Sequence, residues 1–238
     1  MAAMKNLHLF LLPGLLNDAR LWQHQVSGLS NMAHASVADL TEADSISSLA
    51  SAALAQAPAE RFALAGLSMG GYVALEIMRQ APERVLALAL LDTTARPDTP
   101  QATEGRRNLM QLAETNFPAV IDTLLPRLVH PSRLNDASIV EVITAMANSV
   151  GKEAFIRQQR AMIGRIDSRP FLHQIKCPTL VLCGREDVIT PIEVHEELVA
   201  GISSSSLAII EECGHLSTLG QPQRVTETLE KWLLDVKP

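Results

Sequence analysis

Six short runs of nearly continuous apolar residues punctuate this chain, at 7–12, 33–40, 62–67, 85–91, 179–183 and 207–210. Unbroken apolarity over such lengths, instead of strict alternation, is the pattern of strands buried on both faces of a parallel sheet. Residues 45–57, 69–81, 191–200 and 222–234 carry apolar positions at helical spacing and have the length of crossover helices. Strand and helix in alternation predict an α/β fold with a doubly wound, mostly parallel sheet of about six strands.

The rhythm stops after Thr93. Residues 103–169 read as several amphipathic helices broken near Pro118, Pro126, Pro131 and Gly151. The expected organisation is therefore a core of residues 1–95 and 172–238, with a helical lid of residues 96–171 inserted between core strands and lying over the sheet's C-terminal edge.

Composition narrows the function classes. A length of 238 residues suits one domain, and 47% hydrophobic content supplies a sizeable core. The net charge of −6, with no Lys/Arg cluster, argues against nucleic acid as a partner. The lid carries ten basic and eight acidic residues, a net +2 that leaves −8 for the remainder of the −6 total. That contrast suits an anionic substrate; the plainer reading is that these arginines solvate outer helix faces. Three cysteines without C-x-x-C spacing predict reduced thiols, no metal site and a cytoplasmic location. Lys5 before an apolar stretch faintly resembles a signal peptide, but no A-x-A cleavage site follows, and no run approaches a membrane span.

The candidate chemistry begins at Gly66-Leu67-Ser68-Met69-Gly70, where a serine between two glycines joins the run at 62–67 to the helix at 69–81. This is the sequence form of a nucleophile elbow. A strand turning sharply into a helix strains the central residue and crowds its neighbours, which therefore dispense with side chains. Ser68 needs a base, and the base needs a carboxylate to fix its tautomer. Two loops leave the later strands with suitable residues: Gly184-Arg185-Glu186-Asp187 and Cys213-Gly214-His215. Asp187 and His215 are the candidates. Glu186 is a neighbouring competitor for the acid, and Asp92 a second rival, although a cap for the turn into Thr93-Thr94 would suffice to explain it. His8, His24, His34, His130, His173 and His195 lack such placement, with His130 still able to touch substrate. The oxyanion donors expected are the backbone N–H groups of Met69, at a helix N-terminus, and of Leu15 in the glycine-containing loop after the first strand, with Leu16 as the alternative.

Together with Pro13-Gly14 through Trp22, Ala81-Pro82-Glu83-Arg84-Val85 and Gly214-His215-Leu216-Ser217, these motifs make the chain resemble an α/β-hydrolase of the small lid-bearing branch that includes carboxylesterases and enol-lactone hydrolases. The resemblance implies Ser68, Asp187 and His215 as a triad, with the Leu15 and Met69 amides as oxyanion donors. Pro13 stands where that family usually has histidine, and Gly220 where many relatives have an acidic residue. A further departure is that the chain begins at what would be the family's third strand, so the antiparallel N-terminal hairpin is expected to be absent. The expected activity is cleavage of a small-molecule carboxylic ester or lactone through an acyl-enzyme, without metal or organic cofactor. A carbon–carbon hydrolase or lyase using the same three residues, or a receptor that has kept the fold without catalysis, are the alternatives.

Overall fold

The structure is a computed structural model that describes residues 7–236; Lys5 of the signal-like stretch lies outside them. Its strands are β1 (His8–Leu12), β2 (His34–Val37), β3 (Phe62–Leu67), β4 (Val85–Leu91), β5 (Thr179–Gly184) and β6 (Ser205–Ile210). They form one sheet in the order β2-β1-β3-β4-β5-β6, every pairing parallel. In register, Leu9 faces Ala63, Ala63 faces Ala87, Leu88 faces Thr179, and Thr179 faces Ser205. All six expected strands are present. Burial on both faces holds for β3, β4 and β5, whereas the edge strands β2 and β6 are largely half-exposed, because each has a neighbour on one side only.

The helices are α1 (Gln23–Gly28), α2 (Ile46–Gln56), α3 (Met69–Gln80), α4 (Pro100–Thr115), α5 (Phe117–Leu128), α6 (Ala137–Ile163), α7 (Ile192–Gly201), α8 (Ser217–Gly220) and α9 (Pro222–Leu234). Side chains along a strand alternate between faces, so the apolar runs feed two cores. Phe10, Leu12, Leu64, Leu88, Leu90 and Val181 pack with α2, α3 and α7. Leu9, Leu11, Ala63, Ala65, Ala87 and Ala89 face the other way, against Trp22 and the apolar side of α9. Small alanines on β3 and β4 leave room there for indole-sized groups. Local signals fix the helix ends: Ser45 accepts the Ser48 N–H at 3.1 Å to start α2, and proline opens α4, α5 and α9.

Between β4 and β5 the chain forms α4, α5 and α6. Pro118 starts α5 and Pro126 lies within it, while Gly151, at φ 80°, kinks α6. This segment has a third apolar cluster of its own, including Ala113, Val120, Ile121, Ala147 and Phe155, which closes on Leu16 of the loop after β1. Most of its arginines are committed to partners: Arg106 and Arg165 to Asp98, Arg133 to Asp136, Arg169 to Asp167, and Arg96 to Glu197. Its excess positive charge is thus largely spent on bracing the segment and tying it to α7. No helix among the described residues is long and apolar enough to cross a membrane.

Candidate active site

The strand order reverses at β1: the chain moves outward to β2, then returns to place β3 on β1's other side. In open parallel sheets the crevice at such a switch point, beyond the strands' C-terminal ends, is where ligands bind. Ser68 follows β3 and the Gly14-Leu15 loop follows β1, so both stand at this crevice.

Ser68 has φ 55° and ψ −114°, the strained turn that the paired glycines foretell. A Cβ on Gly66 would lie 2.3 Å from Gly70 O, and one on Gly70 would lie 2.2 Å from Leu12 O. Only glycine lets α3 start so close to β3 and β1. The Ser68 N–H donates to Leu91 O at 3.0 Å, which pins the turn to β4. Ser68 is half-buried, while Met69 begins α3 with its N–H among the unsatisfied donors of the first turn.

The loops after β5 and β6 bring the other two residues to this serine. His215 Nε2 lies 2.8 Å from Ser68 Oγ, and His215 Nδ1 lies 2.7 Å from Asp187 Oδ2. Asp187 also accepts the N–H groups of Ile189 (2.8 Å) and Thr190 (3.0 Å) on Oδ1, and the Thr190 hydroxyl on Oδ2 at 2.6 Å. A carboxylate so surrounded can only accept from the imidazole, so the His215 proton sits on Nδ1 and Nε2 is free to take the serine proton. Burial opposes charge on both groups. For His215 the charge and hydrogen bond of Asp187 override it and hold the imidazole above its ordinary 6.5; for Asp187 the His215 charge and the surrounding donors hold the carboxyl below its ordinary value.

Glu186, the neighbouring competitor, turns away and accepts the Cys213 N–H at 2.9 Å. Instead of capping the Thr93-Thr94 turn, the fully buried carboxyl of Asp92 accepts the Gly184 N–H at 3.0 Å and the Ser217 N–H at 3.3 Å, so it ties the Asp187 loop to the His215 loop. The next residue completes the tie, with Thr93 Oγ1 donating to Ser68 O at 2.8 Å and the Thr93 N–H donating to His195 Nε2 at 3.0 Å. Burial and then the nearby Asp187 charge push Asp92 up to about 7, and burial pushes His195 down to about 4. Asp92→Ala leaves two buried N–H groups without an acceptor, offset in part by removing a carboxyl that is costly to bury. The expected loss is about 2 to 4 kcal/mol of stability, read from urea denaturation, with a reduced kcat in the folded fraction.

The loop after β1 closes as a turn, Asn17 N–H donating to Gly14 O at 3.2 Å. A Cβ on Gly14 would come within 3.4 Å of Ser68 Cβ, which places this loop against the serine. Of its two candidate amides, Leu16 N–H is already committed to Gln158 Oε1 at 3.1 Å, leaving Leu15 as the loop's available donor. Sequence reasoning missed Gln158 and the role of Asp92. Among the other histidines, His130 is engaged locally, accepting the Ser132 N–H at 3.2 Å, and His195 is buried behind the site. Among the described residues no group of three or more His, Cys, Asp or Glu has metal-binding geometry, and Cys177, Cys183 and Cys213 are free thiols.

Residues 9–228 match the pattern that defines the alpha/beta hydrolase family. Among solved structures, the chain is similar to a thermophilic esterase from Thermogutta terrifontis with malate bound, at 30% identity and a TM-score of 0.90, covering 99% of this chain and 92% of that one. It is also similar to 3-oxoadipate enol-lactonase 2 of Acinetobacter baylyi, 28% identical over 166 residues, which cover 69% of this chain and 61% of the relative. A third similarity is to 2-hydroxy-6-oxo-6-phenylhexa-2,4-dienoate hydrolase of Comamonas testosteroni, 30% identical over 162 residues, covering 66% of this chain and 57% of that protein. Each of these two matches therefore spans less than two thirds of the relative's own length.

Proposed function

Because this chain belongs to the alpha/beta hydrolase family, we propose that it is a serine hydrolase cleaving a carboxylic ester or lactone through Ser68, His215 and Asp187. The observation that carries this reading is the unbroken relay from Asp187 Oδ2 through both nitrogens of His215 to Ser68 Oγ, at 2.7 and 2.8 Å. Ser68 Oγ bonds to the substrate carbonyl carbon as its proton passes to His215 Nε2. The Leu15 and Met69 N–H groups hold the resulting oxyanion, and the α3 dipole favours its charge. Collapse breaks the bond to the leaving alkoxide, which takes the proton from His215. Water, deprotonated by the same nitrogen, then attacks the acyl-Ser68 ester; the bond to Ser68 Oγ breaks, His215 returns the proton to that oxygen, and the acid is released. These steps balance without a metal or organic cofactor.

In this reading residues 96–171 form a lid over a core of residues 1–95 and 172–238, and the apolar surface that they bring to Leu15 and Leu16 suits a small aliphatic acyl group. The names of the Thermogutta terrifontis esterase and the Acinetobacter baylyi enol-lactonase support oxygen-ester chemistry. The Comamonas testosteroni relative, whose name is that of a dienoate hydrolase, favours a second reading in which the same residues act at a carbon–carbon bond. Free thiols at all three cysteines suit a reducing, cytoplasmic setting.

The test is a turnover screen of the purified chain on p-nitrophenyl acetate, p-nitrophenyl butyrate, small lactones and a 2-hydroxy-6-oxodienoate. Ester or lactone turnover with the highest kcat/KM is the expected result; turnover of the dienoate alone would overturn ester specificity.

A further inference from the structure

Leu16 holds a backbone conformation that leucine rarely adopts. It is the third residue of the turn closed by Gly14 and Asn17, and its φ is 58°. Turns with a left-handed third residue ordinarily place glycine or asparagine there, where no branched or bulky side chain meets the backbone. Something outside the loop must hold this residue in place.

The restraint comes from the segment between β4 and β5. The Leu16 side chain is buried among Val120, Ile121, Ala147 and Phe155. Its N–H donates to Oε1 of Gln158, a wholly buried residue of α6. The other end of the same amide, Gln158 Nε2, donates to Leu40 O at 3.1 Å, just beyond β2. Its neighbour Arg157 donates from Nε to Thr41 O at 2.7 Å. One buried side chain thus joins α6 to two loops at the C-terminal edge of the sheet, with both ends of its amide satisfied.

The bond fixes the peptide plane between Leu15 and Leu16, while the Asn17 N–H bond to Gly14 O fixes the plane between Gly14 and Leu15. In a trans peptide, N–H and C=O point in opposite directions, so anchoring Gly14 O also aims the Leu15 N–H. The loop remains in this register only while Leu16 stays left-handed. Resting on the reading of Leu15 as an oxyanion donor, we infer that Gln158 is a positioning residue that keeps the Leu15 amide aimed at the oxyanion. The helical segment thereby contributes to binding the transition state as well as to covering the site.

A residue that merely fastened α6 to the core would affect substrate and transition state alike. The test compares the wild-type chain with Gln158→Met, which fills the same space without either hydrogen bond, and Gln158→Glu, whose carboxyl, when protonated, keeps an acceptor for the Leu16 N–H and a donor for Leu40 O. For each, kcat and KM on p-nitrophenyl acetate are measured, with inhibition by an alkyl trifluoromethyl ketone and by the matching methyl ketone. The trifluoromethyl ketone adds Ser68 Oγ to its carbonyl, giving a hemiketal oxyanion while the serine proton moves to His215. Gln158→Met should lower kcat and weaken the trifluoromethyl ketone by a similar factor, about 10- to 100-fold, because a misaimed donor forfeits much of what a deleted one would. KM and methyl ketone affinity should stay within about twofold, and Gln158→Glu should recover most of the loss. Equal weakening of both ketones, or wild-type kcat in Gln158→Met, would overturn the inference. Hydrogen exchange of the wild-type chain gives a reading that needs no variant: slow exchange of the Leu16 amide is expected, and exchange at the rate of an open loop would contradict it. If the wild-type chain fails to bind the trifluoromethyl ketone at all, the serine hydrolase reading fails instead.

Discussion

Ser68→Ala is expected to lower kcat by about 10⁴- to 10⁶-fold on any ester that the wild-type chain turns over, with its melting temperature little changed. The size of the effect follows from what the hydroxyl does. In the proposed reading it is the bond-forming atom; it is half-exposed at the crevice, and among the described residues its side-chain partner is His215 Nε2 at 2.8 Å. Alanine keeps the Gly66 and Gly70 contacts that fit the turn, so the fold is left intact. What remains is water held near the Leu15 and Met69 amides, without a covalent route. Steady-state kinetics on p-nitrophenyl acetate, with the variant purified separately from any wild-type enzyme, gives the number; activity within tenfold of wild type would refute the assignment.

Asp187→Asn should cost about 10⁴-fold in kcat, for a subtler reason. An asparagine can keep accepting the Ile189 and Thr190 N–H groups on Oδ1, so the loop stays in place. Its amide then donates to His215 Nδ1, which drives the histidine proton to Nε2. That nitrogen faces Ser68, and a protonated nitrogen cannot take the serine proton. The pH profile separates this from simple misfolding. His215 must be neutral to act as base, and the Asp187 charge stabilises its charged form, with Asp92 adding to this and Arg127 opposing it. Wild-type kcat/KM should therefore fall on the acid side through a pKa above 6.5. In Asp187→Asn the stabilising charge is gone, and the acid limb of the residual activity should move to lower pH. An unshifted limb would mean that the Asp187 charge does not act on His215.

Features set by neighbours in sequence were legible before the structure. The apolar runs that became β1 to β6, the helix breaks near Pro118 and Pro131 and the two glycines around Ser68 all express constraints acting within a few residues. Asp187 and His215 were legible for a related reason: each sits directly after a strand, and parallel strands deliver their C-terminal loops to one edge. Asp92 also ends a strand, but its carboxyl reaches Gly184 and Ser217, residues 92 and 125 positions away, and no local pattern encodes such partners. Gln158 is harder still to read. Glutamine on a helix ordinarily signals an exposed face, and only the approach of α6 to Leu16 and Leu40 makes it a buried link. The edge strands differ from the expectation for the same reason, since sequence shows apolarity but not which strands lack a second neighbour.

In the proposed mechanism His215 activates Ser68 as a covalent nucleophile. Incubating the purified chain with a fluorophosphonate and locating the adduct by mass spectrometry tests it most directly, since the reagent bonds to an activated serine with loss of fluoride. One phosphonyl group per chain is expected, on Ser68, absent in Ser68→Ala and strongly slowed in His215→Ala. A folded, ester-hydrolysing chain that stays unlabelled, or carries the adduct on another residue, would contradict it.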